Sequence, residues 1–90
     1  VSYLFFNNFR EANLENANFK DADLQYANFY LADLTNANLS GANLRNAYFG
    51  NADLSNANLS DANLQGAVLD NAMLTGANLK CVNHPICESG

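Results

Sequence analysis

Small and large apolar residues alternate with polar ones in blocks of five along almost the whole chain. Alanine recurs without a gap from Ala12 to Ala77, and two positions after each stands leucine or phenylalanine, as in Leu14, Phe19, Leu24 and Phe29. The residue between them is mostly Asn or Asp, and the two that follow are mostly small or polar. Leu4 and Phe9 hold the same phase, with Ser2 and Asn7 in place of alanine. A period of five excludes both regular elements in continued form. On an α-helix, at about 100° per residue, positions five apart turn by about 140°, so the leucines would spiral round every side and leave no core-facing stripe. On a continuous strand the odd period sends successive leucines to opposite faces. Within one block, however, Ala, Asn, Leu reads in, out, in, a three-residue strand, and the following pair has the composition of a corner. Each block is one short side and one corner. Sides joined by corners of a single hand wind into a coil whose stacked turns bury alanine and leucine along a common axis.

Phe9, Phe29 and Phe49 lie twenty residues apart, so coils of four blocks would set them directly above one another, whereas coils of fifteen residues would scatter them. Asn18, Asn38, Asn58 and Asn78 fall in one such column, where an amide ladder between coils could form. Tandem stretches such as NANLSGANLRNA and NADLSNANLSDANLQGA make the sequence resemble the pentapeptide repeat family, whose signature is A(D/N)LXX, over about residues 2–81. The resemblance implies an all-β fold, a right-handed quadrilateral β-helix with the central Leu or Phe and the preceding Ala pointing inward. Sixteen centres from Leu4 to Leu79 correspond to about four coils. The expected division is 1–81 as the β-helix and 82–90 as a C-terminal capping loop.

Stacked coils end in unpaired backbone groups, which solenoids cover with caps. Phe5 and Phe6 stand at positions that are usually polar and are expected to fold over the first coil as an apolar lid. Val82 and His84 are expected to keep the phase without its residue types, and Pro85 stops strand pairing. Cys81 and Cys87, six residues apart, are the only cysteines. Three readings stay open for them: a disulfide closing a small loop, two free thiols, or a metal held by Cys81, His84 and Cys87, for which a fourth ligand is missing. A bridge implies an oxidising compartment such as the periplasm, the thylakoid lumen or the extracellular space, and free thiols imply the cytoplasm.

Composition narrows function by exclusion. Four Lys and Arg against nine Asp and Glu, a net charge of -5, disfavour binding to nucleic acid phosphates and to an anionic membrane surface. No apolar run is long enough to cross a bilayer, and Val1 to Phe6 lacks the basic start and the cleavage site of a signal peptide. The chain opens in mid-pattern without methionine and reads as a segment of a longer protein, of the bacterial or cyanobacterial type in which the resembling family is abundant. No catalytic, cofactor or metal site is expected. His84, the sole histidine, reads as a capping or exposed residue, Asp33 and Asp53 as ordinary repeat residues, and the five glycines lie scattered at or near corners.

What stands out is an outward apolar patch. In a four-column map one side carries Tyr30, Leu31, Tyr48 and Val68, with Phe6 and Tyr26 at the adjoining corner and Met73 just beyond, against Asn, Ser, Thr, Gln and charge elsewhere. The expected function is a non-catalytic scaffold or protein-interaction module, self-association included. The family resemblance implies one alternative, a mimic of DNA that binds a type II topoisomerase (gyrase), although Arg10, Lys20, Arg45 and Lys80 interrupt the acid that such mimicry requires.

Overall fold

The computed structural model describes residues 7–88. The chain is a right-handed quadrilateral β-helix held by parallel bridges between successive coils. Side 1 is the column Asn8, Asn28, Tyr48, Val68; side 2 is Asn13, Asp33, Asp53, Met73; side 3 is Asn18, Asn38, Asn58, Asn78; side 4 is Asp23, Asn43, Asn63, Val82. The expected centre Leu4 and the expected lid residues Phe5 and Phe6 lie outside the described residues.

One block explains the rest. Around Leu44, the leucine N–H donates to the Asn63 carbonyl of the next coil (2.8 Å), Asn46 N–H donates to Gln65 (2.9 Å), and Asn43 N–H donates back to Ala22 (2.9 Å). Ala47 N–H closes the corner on the Leu44 carbonyl at 3.1 Å. The second corner residue is left-handed throughout, with φ between 56° and 74° from Glu11 to Gly76, and Asn, Asp or Gly occupies it at nearly every corner. These residues tolerate that region at least steric cost, which is why the repeat places them there.

The Asn or Asp of each side has a use that periodicity alone does not reveal. Its Oδ1 accepts the N–H two residues on: Asn18 from Lys20 (3.0 Å), Asn38 from Ser40 (3.0 Å), Asn58 from Ser60 (2.9 Å) and Asn78 from Lys80 (3.1 Å). The expected Asn column forms, but its amide oxygens fold each chain into its own corner instead of laddering between coils. This local bond is the Asx turn, which favours a bend over continued strand.

Inside, Leu24, Leu34, Leu39, Leu44, Leu54, Leu59 and Leu64 are completely buried together with Phe29 and Phe49. Phe9, Phe29 and Phe49 stack as the register requires, with centroids 5.0 and 4.9 Å apart and planes within 9° and 2° of parallel. That spacing equals the distance between hydrogen-bonded strands, so the ring stack and the backbone ladder share one repeat. Ala42 and its equivalents sit where adjacent walls converge. Ala42→Leu is therefore expected to overpack the tube and to lower stability by about 1–3 kcal/mol; an unchanged denaturation midpoint would contradict the inward assignment.

The C-terminal end departs from the sequence expectation by one residue. Val82 bridges Asn63 at a separation of nineteen, where the other bridges span twenty, because the corner after Leu79 lacks its left-handed residue. Cys81 thereby takes the alanine position and is only 7% exposed. Asn83, at φ 67°, then turns the chain out of the coil, and Ile86 and Cys87 pack against the core. His84 carries the cap. Its Nδ1 accepts Ile86 N–H at 3.2 Å, so Nε2 bears the proton and donates to the Ala67 carbonyl at 2.9 Å. The next coil would have supplied that donor, as Val68 N–H does for Ala47. Cys81 and Cys87 lie at disulfide distance, with Sγ atoms 2.05 Å and Cα atoms 5.0 Å apart. The two sulfurs face each other instead of converging with His84, and among the described residues no group of three potential ligands forms a metal site.

Candidate functional site

All five residues of the expected patch come together on side 1 and its two corners. Tyr26 is 50% exposed, Leu31 45%, Tyr48 40% and Val68 37%, while Tyr30 is half-buried. Met73, 51% exposed, lies on side 2 beside Asp53. The expected neighbour Phe6 lies outside the described residues.

Three departures from the repeat converge here. Among the described residues, the left-handed corners after a Leu or Phe centre are occupied by Asn, Asp or Gly except at Glu11, Tyr26 and Leu31, and all three of these border side 1. A bulky or branched side chain in that region carries strain. Tyr48 and Val68 also replace the Asn or Asp whose oxygen would accept the N–H of Gly50 and Asp70, so two Asx bonds are absent from the same side. Each such bond contributes about 0.5–1.5 kcal/mol. Finally, among the described residues Tyr30 is the one aromatic first corner residue. Side 1 thus gives up local stability in favour of exposed apolar surface. Leu31→Asn is expected to relieve the strain and to raise stability by about 0.5–1 kcal/mol; a thermal melt showing no gain would mean that the backbone stores none there.

The site also contains residues that the sequence reading passed over. Tyr48 lays its ring across Gly50, where a Cβ would meet Oη at 2.6 Å and Cζ at 2.7 Å, so only glycine lets the ring lie down. The ring then stacks on Tyr30, with centroids 5.8 Å apart and planes 20° apart. Below it, the Arg10 guanidinium sits 4.9 Å from the Tyr30 centroid and pairs with Glu11 at 3.1 Å. Such a cation over a ring contributes about 0.5–1 kcal/mol at an exposed site. Arg10, Asn28, Tyr30 and Tyr48 line a shallow, open depression. The signal for Arg10 and Gly50 was present in the twenty-residue register, which puts Arg10, Tyr30, Gly50 and Asp70 in one column.

The depression holds no nucleophile beside a base. Asp33, on side 2, accepts the Thr35 hydroxyl at 2.6 Å and the Thr35 N–H at 3.0 Å, and these bonds hold its carboxyl below the usual carboxylate range. Its role is that of a corner former. Among the described residues there is no helix long and apolar enough to cross a membrane.

A family model described as pentapeptide repeats matches residues 8–41 and 42–80. No curated protein sequence matches the chain. Among solved structures, a pentapeptide repeat protein of Nostoc is 43% identical, with 82% of this chain and 68% of that one covered and a TM-score of 0.64. One from the cyanobacterium Cyanothece is 34% identical, with 86% and 57% covered and a TM-score of 0.64. One from the thylakoid lumen of Arabidopsis thaliana is 37% identical, with 84% and 60% covered and a TM-score of 0.53. The chain spans less than two thirds of the Arabidopsis and Cyanothece proteins. Five-residue period, four-sided coil and family match agree: the chain belongs to the pentapeptide repeat family.

Proposed function

We propose that the chain is a non-catalytic protein-interaction module whose contact surface is side 1, centred on Tyr30 and Tyr48 and flanked by Tyr26, Leu31 and Val68. The observation that carries this reading is that all three strained corners border side 1, which also lacks two Asx bonds and carries a cluster of exposed apolar side chains, Tyr26, Leu31, Tyr48 and Val68. Strain confined, among the described residues, to the corners of one side points to use, and aromatic side chains are the ones interfaces favour. The DNA-mimic alternative draws no support from the charge. Glu11, Glu15, Asp21, Asp61 and Asp70 are divided among three corners, with Asp33 and Asp53 on side 2 and Asp23 on side 4, instead of forming a sustained negative face.

The Cys81 and Cys87 pair, together with the thylakoid-lumen origin of the Arabidopsis relative, supports an oxidising compartment. The contact surface is tested by affinity capture from host extract with the wild-type chain, Tyr48→Lys, and Ser60→Lys at the corner between sides 3 and 4. A protein retained by the wild type and Ser60→Lys but lost by Tyr48→Lys is the expected result. Equal retention by all three would remove side 1 from consideration.

A further inference from the structure

Building on the reading of side 1 as a contact surface, we infer that its occupant is a second copy of this chain, docked face to face with the two solenoid axes antiparallel.

The surface is self-complementary in charge. The corner column bordering side 1 runs Arg10, Tyr30, Gly50, Asp70, with a cation at one end and a carboxylate at the other. Within one chain these ends are three coil rises apart, about 14 Å, and do not pair. A two-fold axis lying across side 1, between the coils of Tyr30 and Gly50, reverses the column against itself. Arg10 then meets Asp70 of the second copy twice over, and Tyr30 meets the Tyr48 ring lying on the opposed Gly50. Nothing of like sign is opposed at the other corner, where Arg45 faces Gln25, Tyr26 faces Asn46, and the side residues Asn28 and Tyr48 face each other. An isologous contact requires this matching of a surface with its own inverse. The parallel alternative, with the axis along the solenoid, sets Asp70 against Gln65 and Gly66 and gives it no cation to meet.

Size and net charge agree with this arrangement. Four sides and two ends share 4773 Å² of accessible surface, so one side carries on the order of 800 Å², the per-partner area of a standard stable interface. In a chain of net charge -5, sides 1 and 3 have no carboxylate among their outward residues, unlike sides 2 and 4, and of these two only side 1 offers exposed apolar surface to a second acidic molecule.

The test is a charge exchange on the full 90-residue chain, read by light scattering and sedimentation at low salt, with circular dichroism confirming the fold. Arg10 and Asp70 are both exposed, so their replacement spares the core. The wild type is expected at twice 9.8 kDa. Arg10→Asp and Asp70→Arg each place like charges in contact and are expected to weaken the dimer about tenfold or more. Mixed together, the two single variants are expected to associate with each other, and the double variant to recover the wild-type affinity. A wild type that stays monomeric at concentrations on the order of 100 µM, or single variants that fail to associate on mixing, would overturn the inference. If Tyr48→Lys still loses a captured partner while the wild type is monomeric, the second copy is excluded and side 1 remains a surface for a different protein.

Discussion

Phe49→Ala is expected to lower the free energy of unfolding by about 3–5 kcal/mol, more than truncating any residue at the ends of the solenoid. Phe49 is completely buried, and its ring stacks on Phe29 at 4.9 Å with the planes 2° from parallel. Removing it leaves a hole that the walls cannot close. The coils above and below are tied at a set distance by Phe49 N–H to Val68 and Phe29 N–H to Tyr48, both 2.7 Å. Collapse of the cavity would have to break those bonds. Phe9 occupies the same column one coil below Phe29, but it is only partly buried, so Phe9→Ala should cost less. Chemical denaturation of both variants checks the claim. A Phe9→Ala loss equal to or larger than that of Phe49→Ala would mean that the axis is not the core.

Cys81→Ala is expected to cost about 2 kcal/mol, the chain-entropy value for a loop this short. The substitution is unusually clean. Cys81 stands where the repeat takes alanine at every earlier block from Ala12 to Ala77, so the wall keeps its usual residue and only the link to Cys87 is lost. That link anchors the turn whose Glu88 N–H donates to the Leu79 carbonyl at 2.7 Å and whose His84 covers the Ala67 carbonyl. Loosening it frees those acceptors to water and exposes the upper edge of sides 4 and 1. Melts with and without reductant provide the check: the wild type should fall to the level of Cys81→Ala when reduced, and Cys81→Ala should not respond. Equal sensitivity of the two proteins to reductant would show that no bridge is formed.

Much of the molecule was legible from spacing because each block makes its own side and corner, and what repeats locally must repeat globally. The inward Ala and Leu, the Phe9, Phe29, Phe49 stack and the grouping of Tyr26, Tyr30, Leu31, Tyr48 and Val68 all follow from a single period and the number of sides. The Asn and Asp positions were visible too, but their task was not. An outward side chain between two inward ones is equally suited to laddering or to turning, and the choice is made by the left-handed residue that brings the N–H two positions on within reach of Oδ1.

Other features depended on the folded chain. That the corner after Leu79 is one residue short, and that Cys81 rather than residue 82 enters the wall, is decided by which register pairs Val82 with Asn63 while still bringing Cys81 and Cys87 together. His84 became a cap because the coil ends one donor short at Ala67. Gly50 acquired its meaning only from the Tyr48 ring laid across it, and Arg10 from the Tyr30 ring above it. The amino-acid sequence by itself determined the coil, its four sides and the identity of its lining, since these are set by short-range geometry repeated many times. The tertiary structure decided the end of the coil and the make-up of the tyrosine side, since both depend on contacts between residues a whole coil apart, each of which occurs once.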